Sequence, residues 1–341
     1  NTISILNSSG EWDSLKKNSL NIKIEKLYPF SFHKYLPKEG LVQSRFSFLV
    51  IFILNFFPLI HKIKKEKPKY LIVHLLTFLP IILSPLLSKN TKIILRISGF
   101  PELTFFRKLI WKLFANNIYK ITTPTKKTYS LIRNSKIFKK EKIFLLRDPA
   151  IDKNDILKKK NILIPKKYLR KKFVLSIGRL TNQKNFSFLI KMFAKYKKIM
   201  DVNYLLIIGE GEERAKLEKM INNLNCQHSV FLLGFKKNVY NYINKCEAYI
   251  STAEYEDPGF TLLEAAFLKK KIISSLVKNG PLEMKQKGNL CYFFSFNNEK
   301  SFLNAIKKSK YKNLNKLNTA QKYSKQFSIY SHYKKLEKIL N

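Results

Sequence analysis

What most constrains this chain is a repeated pattern, in which short apolar runs alternate with stretches of helical spacing. In the second half the runs fall at residues 173–177, 204–208, 230–232, 248–251, 271–274 and 291–294. They are nearly continuous in apolar residues, as strands covered on both faces must be. Between them, Leu217, Met220, Ile221 and Leu224 fall at i, i+3, i+4 and i+7, one stripe along a helix. Such alternation predicts an α/β fold built on a doubly wound parallel sheet. The first half repeats it less cleanly. Strands are expected there at 2–6, 22–27, 70–74, 92–96, 120–122 and 142–145, with helices at 105–115 and 127–134. One such unit per half gives two Rossmann-like domains facing each other across a cleft.

The length of 341 residues suits two domains of roughly 100–200 residues each. The first is expected over residues 1–151. A polar, Lys-rich passage at 152–172 reads as the crossing, and 173–325 as the second domain. A closing helix at 326–341 is expected to pack back on the first. The chain opens on Asn1 and enters directly on the apolar Ile3-Ser4-Ile5-Leu6, so the first domain is expected to lack its opening segment.

The charge is strongly basic, 65 Lys and Arg against 23 Asp and Glu. Only eight of the basic residues are Arg, and both halves share the excess. A nucleic-acid face concentrates its charge and uses more Arg. The balance therefore reads first as a solvated Lys coat, and second as attraction to an anionic membrane surface. Three cysteines have neither the number nor the spacing of a disulfide framework or a zinc site, which fits a reducing compartment. Two apolar runs resemble membrane spans. Residues 46–60 are interrupted by Ser47, Asn55 and Pro58 and fall short of the roughly 20 residues a span needs. Residues 70–87 parse as a buried strand at 70–74 and a helix from Phe78.

In open α/β sheets ligands bind beyond the carboxyl ends of the strands, and four segments there carry chemistry. After 173–177 comes Gly178-Arg179-Leu180-Thr181-Asn182-Gln183-Lys184-Asn185, two cations on a loop entering a helix, a cradle for pyrophosphate. After 204–208, Gly209-Glu210-Gly211 allows a tight turn close to a ligand. After 230–232, Gly234-Phe235 sets an aromatic at a strand end. After 248–251 comes Glu254-Tyr255-Glu256-Asp257-Pro258-Gly259-Phe260-Thr261-Leu262-Leu263-Glu264, with Glu256 in a loop and Glu264 in the first turns of a helix. That helix start carries unpaired N–H groups and partial positive charge, and the two carboxylates can accept from sugar hydroxyls. Ordinary helix capping by acids is the alternative reading of the same segment.

In order and spacing these segments, with Asn279-Gly280-Pro281-Leu282-Glu283 after them, resemble the retaining family 4 glycosyltransferases, the glycosyl transferases of group 1. The resemblance covers about residues 173–285 and implies the GT-B fold, with the nucleotide-sugar held mainly by the second domain. It implies that Arg179 and Lys184 neutralise the departing diphosphate, that Glu264 holds the ribose hydroxyls and that Glu256 lies against the transferred sugar. Gly178 and Gly209 would sit at the donor. The backbone of Gly259, Phe260 and Thr261 would meet sugar and phosphate, with Phe235 near the base. No cofactor and no metal are implied. The donor would be a UDP- or GDP-sugar, and the acceptor a glycan or lipid-linked glycan of surface polysaccharide biosynthesis. A peripheral enzyme on the cytoplasmic face of a bacterial inner membrane follows from this and the charge.

The sequence departs from the family in two places. The loop usually reading E-G-F-P is Glu256-Asp257-Pro258-Gly259-Phe260, with the spacing to Glu264 kept. The His-Gly that many members carry after the strand at 92–96 is replaced by Ser98-Gly99. His74 either lines the cleft or is a satisfied core histidine. Three other readings compete. A basic nucleic-acid-binding protein would show clustered Arg and a recognised module. A GT-B sugar-nucleotide epimerase or hydrolase would need a base beside the anomeric carbon. A donor-binding but inactive transferase would keep the motifs.

Overall fold

The structure, a computed structural model, describes residues 3–9, 23–37, 41–74, 78–97, 103–311 and 313–341. Ser98 lies outside the described residues. Two compact units emerge, Asn1–Thr122 with Ile132–Ile143 and Thr123–Leu131 with Phe144–Asn341.

In the first unit, β1 (Ser4–Asn7) and β2 (Lys23–Lys26) form a parallel pair of their own. Helix α1 (Leu41–Glu66) then leads to β3 (Tyr70–His74), α2 (Phe78–Leu83), β4 (Lys92–Arg96) and α3 (Phe105–Phe114). Next come β5 (Ile118–Thr123), α4 (Lys126–Asn134), whose residues to Leu131 count with the second unit, and β6 (Ile143–Leu145), whose last two residues do so too; the sheet has the order β3-β4-β5-β6. Ile93, Ile94 and Leu95 of β4 are all buried, as the continuous apolar run requires of a strand covered on both faces.

One expectation is corrected here. The run at 46–60 belongs to a 26-residue helix, and its stretch Phe46–Glu66 is long and apolar enough to cross a membrane by length and composition. Pro58 does not interrupt it. Proline deprives the carbonyl four residues earlier of its helical donor, and here the Tyr28 hydroxyl donates to that carbonyl, Leu54 O.

The second unit carries α5 (Lys153–Lys159), α6 (Lys166–Leu169), β7 (Phe173–Ile177), α7 (Phe186–Met200), β8 (Tyr204–Ile208), α8 (Arg214–Asn223) and β9 (Val230–Leu232). It continues with α9 (Tyr240–Lys245), β10 (Ala248–Ser251), α10 (Phe260–Phe267), β11 (Lys271–Ser275), α11 (Gly280–Gln286) and β12 (Tyr292–Phe294). Three helices close it, α12 (Glu299–Ser309), α13 (Leu314–Ser324) and α14 (Ile329–Leu340). The six strands are parallel in the order β12-β11-β10-β7-β8-β9. Successive β7 residues face opposite cores, with Phe173 and Leu175 on one side and Val174 on the other. Within the passage 152–172, Ile156, Ile164 and Tyr168 join the first of these cores. The strand order reverses between β7 and β10, and such a switch point opens a crevice at the carboxyl ends of the two strands.

Candidate active site

The loops after β7 and β10 meet at this switch point. Lys184 closes the first, and its Nζ lies 2.6 Å from Oε1 of Glu256 in the second. Glu256 is buried, so the contact is an ion pair largely withdrawn from water. Further hydrogen bonds lace the loops together. Gln183 Nε2 donates to Tyr255 O at 2.9 Å, Glu254 N donates to Gln183 O at 2.9 Å, and the Thr252 hydroxyl lies 3.0 Å from both Lys184 O and Asn185 O. Asn185 takes a left-handed backbone (φ 53°) where α7 begins, a conformation Asn tolerates better than most residues. Arg179 is exposed, and its side chain makes no hydrogen bond or ion pair among the described residues. One predicted cation is thus held by a carboxylate, and the other projects into solvent.

The glycines of the next two loops bring three strand ends close together. Gly209 N donates to Gly234 O at 3.0 Å, and Gly178 N donates to Ile208 O at 3.0 Å. A Cβ on Gly209 would stand 1.8 Å from Gly178 O, and φ is +145°, so only glycine fits. Phe235 follows Gly234 with 77% of its surface exposed, a ring open to a planar partner.

The third loop positions the rest. Gly259 immediately precedes α10, Phe260 is exposed, and the Thr261 hydroxyl oxygen lies 2.6 Å from the hydroxyl of buried Tyr249. Burial, then the charges of Glu256 and Glu264, raise that tyrosine above its ordinary pKa. Glu264 is half-buried in α10. Burial pushes its carboxyl up to about 7, opposed by the nearby Tyr240 hydroxyl of α9. Asp257 is half-buried beside Glu256; burial raises it to about 6, opposed first by a 3.3 Å bond from the Tyr255 hydroxyl. Asn279 supports the same corner by donating to Tyr255 Oη at 3.1 Å, and Gly280 N donates to Glu256 O at 3.1 Å.

Sequence reasoning assigns no role to Gln183, Tyr240, Tyr249, Thr252 or Tyr255, although Gln183 and Tyr255 lie inside the segments it singles out. His74, in register with Arg96 across β3 and β4, is held below its usual pKa by desolvation and the Arg96 charge. A cavity of about 180 Å³ lies beside the first loop, between Asn182, Asn185, Glu213 and Lys216, and none of the residues with an implied donor role lines it. Among the described residues, no group of three His, Cys, Asp or Glu side chains gathers as metal ligands would.

Residues 158–327, the stretch that holds every one of these loops, match the family described as glycosyl transferases group 1. The chain belongs to the group 1 glycosyl transferases. A glycosyltransferase of Methanocaldococcus jannaschii is 30% identical over 241 residues, which cover 65% of this chain and 59% of that protein. In Campylobacter jejuni, the N-acetylgalactosamine-N,N'-diacetylbacillosaminyl-diphospho-undecaprenol 4-alpha-N-acetylgalactosaminyltransferase is 32% identical over 139 residues, 41% of this chain and 37% of that one. The chain thus spans about two-fifths to three-fifths of these relatives. The fold is the GT-B fold: Anabaena HepE, solved in complex with UDP, superposes with a TM-score of 0.70 at 14% identity over 100% of this chain and 99% of that one. This group 1 member therefore joins a shared fold to a sequence match confined mainly to its second unit.

Proposed function

We propose that the protein transfers a hexose, with retention and without a metal, from a UDP- or GDP-sugar to a glycan or lipid-linked acceptor of surface polysaccharide biosynthesis. The observation that carries this is the Lys184–Glu256 pair at the switch point, with exposed Arg179 on the same loop. Transfer breaks the bond from the anomeric carbon to the diphosphate, which leaves with the electron pair, while the acceptor oxygen bonds that carbon and gives its proton to the departing diphosphate. Negative charge then grows on phosphate, where fixed cations stabilise it without reorganising. Arriving diphosphate draws Lys184 from Glu256 and frees that carboxylate for the sugar. Phe235 stacks on the base, and Glu264 holds the ribose. The acceptor in the name of the Campylobacter relative, a diphospho-undecaprenol glycan, supports a lipid-linked acceptor. An acceptor of that kind is in keeping with a peripheral enzyme at the cytoplasmic face of a bacterial inner membrane.

Calorimetry against a panel of nucleotide-sugars tests the reading. Micromolar affinity for one UDP- or GDP-sugar is expected. Steep salt-dependent affinity for DNA, with none for UDP or GDP, would overturn it.

The carboxylates separate by variant. Glu264→Ala is expected to weaken binding of free nucleotide, whereas Glu256→Ala spares free nucleotide and damages transfer. Exchanged effects would refute both roles. Glu264 also sets a pH dependence. A carboxyl raised to about 7 stabilises the folded chain fully below its unfolded pKa, and that stability is lost as pH rises through about 7. Ribose hydroxyls bond the carboxylate, so nucleotide affinity is expected to move the opposite way and strengthen as pH rises through 7. Glu264→Gln, titrated with the same nucleotide, cancels the nucleotide's own ionisation. A variant that keeps the full parental pH slope would exclude Glu264 as its source.

A further inference from the structure

We propose that α1 and α3 together form a docking face for a bilayer surface carrying anionic headgroups, an inference that deepens the peripheral-enzyme reading and rests on it. The first observation is that α1 is turned inside out. Phe46, Leu49, Ile53 and Phe57, at i, i+3, i+7 and i+11, are exposed along one stripe, Phe57 by 77%. Polar Ser47 and Asn55 are buried on another side. A helix facing water shows the reverse. Only 17% of its most apolar stretch, of mean hydropathy 1.9, is buried.

The second observation lies on α3. Phe105, Phe106, Leu109 and Leu113 are exposed within one arc, with exposed Lys108 and Lys112 along its edge, while Trp111 is buried on the far side. The two helices share a neighbour. Phe48 of α1 meets Phe78 of α2 edge-on at 6.2 Å, and the Arg107 guanidinium of α3 lies 5.9 Å from the same ring. Both helices thus pack on α2, and each carries a run of exposed apolar side chains rather than single scattered ones; apolar patches of this kind mark interaction surfaces.

Charge selects the occupant. Helix α3 contains no acid, and the one acid of α1, Glu66, is paired with Lys62 at 2.6 Å. Exposed Lys64 and Lys65 end α1. Apolar side chains bordered by unopposed lysines are the composition of a helix lying in a lipid interface. A second copy of this face would set lysine against lysine. Spanning is opposed by the attachments of α1 to its own unit. Ser47 Oγ donates to Pro37 O at 2.7 Å, the Tyr28 hydroxyl holds Leu54 O, and Lys62 pairs with Glu25 of β2.

The test is co-sedimentation of the full chain with sucrose-loaded vesicles of mixed phosphatidylglycerol and phosphatidylcholine, and with phosphatidylcholine alone. The parent is expected on the anionic vesicles at low salt, to release as salt approaches molar, and to ignore neutral ones. Phe105→Ser/Phe106→Ser and Ile53→Ser/Phe57→Ser are each expected to lower the partition coefficient at least about tenfold. Lys108→Glu/Lys112→Glu should lower it at low salt only. These positions are exposed, so circular dichroism and calorimetric UDP binding should match the parent; loss of UDP binding by the parent itself would sink the donor reading and leave the docking result standing. Unchanged partition in both apolar variants overturns the proposal. So does a parent released only by detergent, which means that α1 spans, or one that ignores vesicles and forms a dimer these variants break.

Discussion

Lys184→Ala is expected to lower kcat for sugar transfer by about 10²–10³, the usual loss when one preorganised donor to a developing oxyanion is removed. The structure adds a second consequence that a surface lysine would not have. The aliphatic stem of Lys184 lies over Gly178, where an added Cβ would stand 3.1 Å from its methylenes, and its ammonium meets buried Glu256 at 2.6 Å. Removing the cation leaves that carboxylate withdrawn from water with its charge uncompensated. Breaking a buried pair from one side costs about 3–5 kcal/mol. This pair is partly open on the lysine side, so the lower end of that range is expected.

The two effects come apart in Lys184→Ala/Glu256→Gln. A neutral amide no longer needs the cation, so stability in urea should return toward the parent while transfer stays lost. Lys184→Arg tests shape at constant charge and is expected to recover only part of the activity, since a planar fork does not occupy the place of a compact ammonium. Nucleoside-diphosphate affinity equal in Lys184→Ala and parent would refute the assignment of the leaving group to this residue.

How much of this was legible in the sequence follows from what each signal depends on. Strand positions in the second unit were readable because both faces of its sheet are covered, and Leu205, Leu206, Ile207 and Ile208 must all be apolar whichever face they meet. The loops proposed to hold the donor stand out in the sequence because they sit at strand ends and use residue types, Gly, Arg, Lys and Glu, with few other reasons to recur at those spacings. The contact between Lys184 and Glu256 was not legible. It joins residues separated by 72 positions, and strand order, not sequence order, brings β7 beside β10. Thr252, Tyr249 and Tyr240 escaped for the same reason, since each acts across the sheet or on a neighbouring helix. The length of α1 was misjudged because Pro58 ends a helix only when its orphaned carbonyl finds no donor, and the donor, Tyr28, lies 26 residues before Leu54. The inverted faces of α1 were hidden too, because composition alone does not say which side of an apolar helix is covered.

The largest expected loss of stability belongs to a residue no motif contains. Arg147→Met is expected to destabilise the second unit by about 3–5 kcal/mol. Arg147 is buried just after β6, and its Nη2 pairs with Oε1 of buried Glu283 on α11. The other oxygen, Glu283 Oε2, accepts from Lys126 N at 3.3 Å, where α4 begins and unpaired N–H groups favour a carboxylate. The guanidinium lies 4.6 Å over the Phe327 ring and 5.5 Å from that of Tyr323, while Arg147 O accepts from His332 Nδ1 at 2.6 Å. The Arg147 side chain thus joins α11 to α13 and to Phe327 beyond it, while Glu283 reaches on to α4 and the Arg147 carbonyl to α14. Methionine keeps much of the stem's bulk but removes the guanidinium from over the two rings and strands the Glu283 charge. In urea or by heat the second unit's transition should fall, by roughly 10 °C for a unit of this size. Arg147→Met/Glu283→Leu removes both charges and is expected to regain most of the loss, because an apolar replacement of a buried pair is often neutral. The same latch bears on the donor loop: Glu283 sits one turn into α11, and the first residue of that helix, Gly280, donates to Glu256 O. Donor affinity is therefore expected to fall in Arg147→Met and to recover in the double variant. A loss under about 1 kcal/mol in Arg147→Met would mean that the pair contributes no more than a surface ion pair does, and that the aromatic and backbone contacts hold this corner without it.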